Sequence, residues 1–351
     1  MRVFECQNCD QPLYFENVSC ERCGMRLGFG PARTRLFAIE PQGDHWIVLG
    51  EPDRPRRLCA NAQHGVCNWL VDAEGDEPFC LACRHNNTIP DLTRPHALER
   101  WTRLEQAKRR LFYTLINLRL PLITRAEDPK EGLAFDFLEE LEGGPRVMTG
   151  HASGLITINI AEADDVERER ARTQMMETYR TLLGHMRHEI AHWYWDRLVR
   201  DDPATLERFR ALCGDERADY AQALQAHHDN GPKPDWRANY VTAYASSHPW
   251  EDFAESFAHY LHIVDALETA RAFGVSVRPR VTEADDMSAK VDFNPYRMRD
   301  AQALIDAWLP IAFAVNSLNR SLGQPDLYPF VLSPPAIEKL GFVASLAPQG
   351  A

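Results

Sequence analysis

The sequence predicts an α+β protein in two parts: a small N-terminal β module built around cysteines, then a larger, mainly helical domain with a small sheet. Three observations carry this expectation. Eight of the nine cysteines precede position 84. Long stretches after residue 96 repeat apolar residues at helical spacing. Between those stretches lie short segments of alternating apolar and polar residues, the pattern of half-buried strands. A chain of 351 residues has room for about two domains, each able to bury a core.

Charge and segment content narrow the class. The 39 basic and 51 acidic residues give a net charge of −12, which argues against a polyanion as the main partner. The first residues run straight into Cys6 without an apolar stretch, so no signal peptide is expected. No uninterrupted run of 18 apolar residues occurs, and the region 307–315 is broken by Pro310, so no membrane partner is expected. Clustered cysteines without a secretory signal read as metal ligands rather than disulfides. A reduced, cytoplasmic protein is the expectation.

Cys6-x-x-Cys9 and Cys20-x-x-Cys23 open the chain. Each turn presents two thiolates to one face, and two such turns complete a tetrahedral shell for zinc, as in a zinc ribbon. Cys59, Cys67, Cys80 and Cys83 form a second set, whose wider 59-to-67 spacing leaves open whether ligands interleave between the sets. Residues 36–39 and 45–49 read as short strands. Residues 1–95 hold 10 Arg, no Lys and 13 acidic residues, a net of −3. That charge disfavours a nucleic-acid reader and leaves scaffolding or a protein partner. Residues 86–95 have a connector's composition. The expected domains are therefore 1–95 and 96–351.

Residues 97–118 should form a helix, with Trp101, Leu104, Ala107, Leu111 and Leu115 on one stripe and Lys108, Arg109 and Arg110 on a solvated face. Residues 132–138, 146–149 and 154–160 read as strands, the last two joined by a turn at 150–153. The segment 155–160 is either a sheet edge that could receive a peptide as an added strand or an interior strand. Residues 281–296 look acidic and irregular, and 301–322 look helical with a bend at Pro310.

The stretch with the clearest chemistry is His188-Glu189-Ile190-Ala191-His192. On a helix, His188 and His192 stand one above the other and can share one zinc ion. Glu189 lies beside them, placed to act as general base on a water at the metal. A third ligand must come from elsewhere. The residue six positions after His192 is Leu198, which cannot serve. Asp215, Glu216 and Asp219 form one acidic group; Glu251 and Glu255, behind Pro249 and Trp250 at a helix start, form another. Glu251 is preferred as ligand, with Glu255 orienting a histidine from behind. Tyr244 could donate to an oxyanion.

These motifs resemble a bacterial family of zinc-binding metallopeptidases that carry an N-terminal zinc-ribbon domain. The resemblance runs through residues 8–17, 83–92, 181–189 and 248–252. A second, local likeness joins Glu251-x-x-Ala254-Glu255-x-Phe257 to the second active-site helix of anthrax lethal-factor-like peptidases. There the first glutamate completes the zinc site and a tyrosine lies seven residues earlier, as Tyr244 does here. The resemblance implies a gluzincin-like peptidase domain, with one catalytic zinc on His188, His192 and Glu251 and one or two structural zinc ions on the cysteines. Glu189 would be the base, Tyr244 would aid the oxyanion, and the substrate would be a peptide or protein. A zinc-binding adaptor without hydrolysis is the alternative.

Overall fold

The computed structural model describes residues 2–141, 143–174, 178–280 and 287–348. Its contacts divide the chain into two compact units. The first is Met1–Met176 with Arg180–Leu183; the second is Glu177–Tyr179 with Gly184–Ala351. Of the irregular segment expected at 281–296, residues 281–286 lie outside the described ones.

The first unit begins with a short hairpin, β1 (Phe4–Glu5) against β2 (Pro12–Leu13). An antiparallel meander follows: β3 (Arg26–Gly30), β4 (Arg35–Gln42), β5 (His45–Val48), β6 (Glu51–Leu58) and β7 (Leu70–Asp72), in that spatial order. Phe15, Phe29 and Trp69 are buried here, with Phe15 and Phe29 edge to face at 4.9 Å. The ring of Tyr113 packs against Phe15 at 5.4 Å. Tyr113 belongs to α1 (Ala97–Asn117), so this helix shares a core with the cysteine module.

Two expectations fail because their partners lie far along the chain. Residues 86–88 are not connector but strand β8 (Asn86–Thr88), which pairs in parallel with β9 (Ala134–Leu138). Lys108 and Arg109 do not face solvent; both are buried. The Lys108 ammonium lies 2.8 Å from the Glu105 carboxylate, which also accepts from Asn86 and Trp101. Arg109 donates to the Asn68 side chain. Paired charge can be buried where lone charge cannot, so the triplet's composition misled.

The second sheet has the order β10 (Gly150–Ala152), β11 (Leu155–Asn159), β9, β8. The turn is shorter and later than expected. Ser153 (φ 47°) and Gly154 (φ 81°) both adopt left-handed backbone, as a two-residue hairpin turn requires. A Cβ on Gly154 would meet the Glu131 carbonyl oxygen at 2.4 Å. Because β10 and β9 flank it, β11 is an interior strand and offers no edge to a peptide. Helix α2 (Asp165–Gln174) follows.

Helices dominate the rest. These are α3 (Leu182–Trp195), α4 (Pro203–Cys213), α5 (Tyr220–Asn230), α6 (Trp236–Asn239), α7 (Pro249–Ala272), α8 (Ala301–Ser321) and α9 (Pro334–Leu346). Strands β12 (Ser276–Val277) and β13 (Ala289–Lys290) pair between α7 and α8. Helix α7 is buried on all sides, which makes it the axis of this unit. Helix α8 runs through Pro310. Among the described residues it is the one helix long and apolar enough to cross a bilayer, and 50% of its apolar window is buried in the protein.

Candidate metal centre

Among the described residues, three groups of side chains present metal-ligating atoms at close quarters: Cys6, Cys9, Cys20 and Cys23; Cys59, Cys67, Cys80 and Cys83; and His188, His192 and Glu251. Within each group the atoms lie within 4.8 Å of one another. The cysteines keep their sequence sets and do not interleave. Turns build both tetrads: in the first the Cys6 carbonyl accepts from Asp10 and the Cys20 carbonyl from Gly24, which has φ 76°, and in the second the Cys80 carbonyl accepts from Arg84. The second tetrad is buried, and Cys83 Sγ lies 3.8 Å from the Glu105 carboxylate. Contacts with the other three cysteines act on the Cys83 thiol in both directions, Cys59 raising and Cys67 and Cys80 lowering it; with the Lys108 charge adding to the lowering, it lies below its ordinary value.

The histidine–glutamate group stands on two helices. Apolar residues bury one face of α3, with Met186, Ile190 and Ala191 fully enclosed. This brings His188 and His192 to the same side one turn apart, with their Nε2 atoms 3.3 Å apart. At its C-terminal end α3 widens into one π-helical turn, Asp196–Arg200. Helix α7 starts at His248, whose side chain accepts from the Trp250 backbone N–H, with Pro249 in the first turn. That start places Glu251 Oε2 2.9 Å from His188 Nε2, and Glu251 Oε1 3.6 Å from His192 Nε2. One turn on, Glu255 Oε1 lies 2.7 Å from His188 Nδ1. The His192 ring packs on Trp250, with ring centres 4.0 Å apart.

Electrostatics fit this geometry. Side-chain exposures of 11% for His188, 5% for His192 and 1% for Glu251 leave little water to screen the group. Burial disfavours charge on His188, yet the close carboxylates of Glu251 and Glu255 raise its pKa well above the ordinary value. Burial alone would raise the Glu251 carboxyl; the two histidines and Tyr220 instead pull it well below the usual range. Glu189, also buried, accepts from His185 Nε2 at 3.1 Å, and that contact keeps its carboxyl below the ordinary value in spite of burial.

The donor set suits zinc. Two imidazole nitrogens 3.3 Å apart need a proton or a cation between their lone pairs. Glu251 Oε2 is buried beside them without a well-formed hydrogen bond. Two imidazoles and one carboxylate are the ligands of an open zinc site.

The other candidates lie elsewhere. Asp215 pairs with Arg217, Glu216 with Arg210, and Asp219 caps α5 by accepting from the Gln222 N–H. None of these three joins the histidines. Tyr244 sits in the turn before α7, its ring centre 5.9 Å from that of His188. Tyr220 was not anticipated: its hydroxyl donates to Glu251 Oε1 at 2.7 Å. It lies 31 residues from Glu251 with no spacing rule to join them, and the N-cap signal of Asp219 was its only sequence marker.

Residues 97–346 match the model of a family described as "Putative zinc-binding metallo-peptidase", and residues 3–94 match a zinc-ribbon domain. Uncharacterized proteins of Mycobacterium tuberculosis and Mycobacterium bovis are 42% identical to this chain over 349 residues, spanning 99% of it and 96% of each relative. No solved structure matches.

Proposed function

We propose that this chain, which belongs to the zinc-binding metallo-peptidase family and carries a zinc-ribbon domain ahead of it, is a zinc-dependent amide-bond hydrolase with a gluzincin-like site. Its substrate is a peptide or protein. The observation that carries this reading is the convergence of His188, His192 and Glu251 with an ionised, buried Glu189 next to them.

His188 and His192 would hold zinc through Nε2, and Glu251 through a carboxylate oxygen. Zinc held there would supply a Lewis acid that polarises the scissile carbonyl and makes a water acidic. Glu189 takes the proton from the attacking water and later passes it to the leaving amine nitrogen. His185 fixes that carboxylate through the 3.1 Å contact. Glu255 holds the His188 ring so that Nε2 faces Glu251. The Tyr244 hydroxyl, which burial keeps protonated, donates to the oxyanion. The two cysteine tetrads would hold structural zinc, and the ribbon would offer a surface to a protein partner. The cytoplasm, where thiols stay reduced, suits such ligands.

Metal analysis of the purified full-length chain, paired with turnover of a quenched-fluorescent peptide library, tests the reading. Three zinc ions per chain with zinc-dependent cleavage are expected. Two zinc ions and no cleavage would make the protein an adaptor.

A further inference from the structure

Tyr220 stands at the first position of α5, whose N-terminus Asp219 caps. Its ring meets those of His248 and Trp250, edge-on, at 5.2 and 5.8 Å. His248 caps α7 and Trp250 lies in its first turn, immediately before Glu251. His248 Nε2 lies 3.1 Å from the Ala218 carbonyl oxygen, which ties the chain just before Tyr220 to the same helix start. Tyr220 as a whole residue is 37% exposed, whereas Glu251, the acceptor of its hydroxyl, is fully buried. A partly exposed tyrosine with an inward hydroxyl is held by its hydrogen bond and ring contacts more than by core packing.

We propose that Tyr220 is a positioning residue for the metal centre: by donating to Oε1, which lies 3.6 Å from His192 Nε2, it fixes the Glu251 carboxylate so that Oε2 is the oxygen offered beside His188. The two carboxylate oxygens are then unequal. Oε1 has the phenol hydroxyl as its donor, while Oε2, 2.9 Å from His188 Nε2, has no well-formed hydrogen bond of its own. A carboxylate free to rotate would present either oxygen, or both, and lose orientation on binding a cation. Partners that orient a ligand from behind contribute about 10–100-fold to metal affinity. Glu255 does this for His188, and Tyr220 does it for Glu251. The stretch 215–219 thus serves the centre through the residue that follows it, although none of its own carboxylates joins the cluster.

This inference rests on the reading of His188, His192 and Glu251 as a metal site, and one experiment separates the two. Full-length wild type and Tyr220→Phe are titrated with a chelator while zinc release is followed. Both proteins are also loaded with cobalt(II), and the visible bands are recorded. Phenylalanine keeps the ring contacts with His248 and Trp250, and far-ultraviolet circular dichroism checks that the fold is retained. The expected result is that one zinc of three leaves Tyr220→Phe about tenfold or more readily, while release of the other two is unchanged. The weak band of the nitrogen–oxygen site shifts, and the strong thiolate bands stay in place. Equal release and an unshifted band overturn the role of Tyr220 and leave the metal site standing. A wild type that binds only two zinc ions overturns the metal site itself. Tyr220→Gln, with an amide donor in place of the phenol, guards against a folding defect in Tyr220→Phe. Tighter binding in the glutamine variant than in the phenylalanine variant supports the hydrogen bond; wild-type binding in Tyr220→Phe with weakened binding in Tyr220→Gln assigns the role to the ring and overturns the proposal.

Discussion

Glu255 Oε1 lies 2.7 Å from Nδ1 of His188, while Glu251, one turn earlier on the same helix, reaches Nε2 of the same ring at 2.9 Å. One imidazole is thus held at both nitrogens by carboxylates of a single helix. This arrangement separates the two glutamates, which their types alone cannot do. Glu251→Ala should empty the site of metal in atomic-absorption or mass-spectrometric counting. Asp219→Ala should leave the metal and cost only a helix cap, about 1 kcal/mol in a denaturant melt.

Glu189→Gln should keep the wild-type zinc content and fold. Its carboxylate is the group placed to accept a proton, so peptide cleavage should fall by about 10²–10⁴-fold. Activity that survived this change would remove Glu189 from the role of base.

His259 gives a pH prediction apart from the metal. It is buried, donates to or accepts from the Tyr328 hydroxyl at 2.7 Å, and packs on Phe330. Burial, only partly offset by Glu255, lowers its pKa to about 4. The unfolded chain binds that proton at about 6.5. The folded state therefore has the full benefit above pH 6.5 and loses it as pH falls toward 4, by up to about 3 kcal/mol. Urea melts between pH 7.5 and 4.5 should show a shallower loss in His259→Gln than in wild type.

Lys108→Met should destabilise the first unit by about 3–5 kcal/mol, because Glu105 would remain buried without its partner. The double change with Glu105→Gln should recover part of that loss, since no uncompensated charge then remains. Chemical denaturation followed by tryptophan fluorescence reads both.

Much of this was legible from residue order. The C-x-x-C turns, the i,i+4 histidines and the proline-led start of α7 are local signals, and each specifies its geometry within a few residues. What was not legible depended on partners far along the chain. Asn86–Thr88 reads as a connector until β9, almost 50 residues on, pairs with it. Lys108 and Arg109 read as solvated until Glu105, Asn86 and Asn68 are in place around them. Tyr220 reaches Glu251 through the packing of α5 on the start of α7, which no periodicity encodes.

The pairing of β8 with β9 bears on how the chain can be dissected. A cut between residues 94 and 97, where the two family matches meet, runs between β8 and the sheet it completes. The upstream fragment would keep Asn86–Thr88 as a loose end and lose the Tyr113 ring from its aromatic core. The downstream fragment would carry β9 as a bare strand edge, its N–H and C=O groups open to another chain, together with a Lys108–Glu105 pair stripped of Asn86. Fragments made at that point invite aggregation, whereas a soluble ribbon module needs α1 and the sheet that follows it.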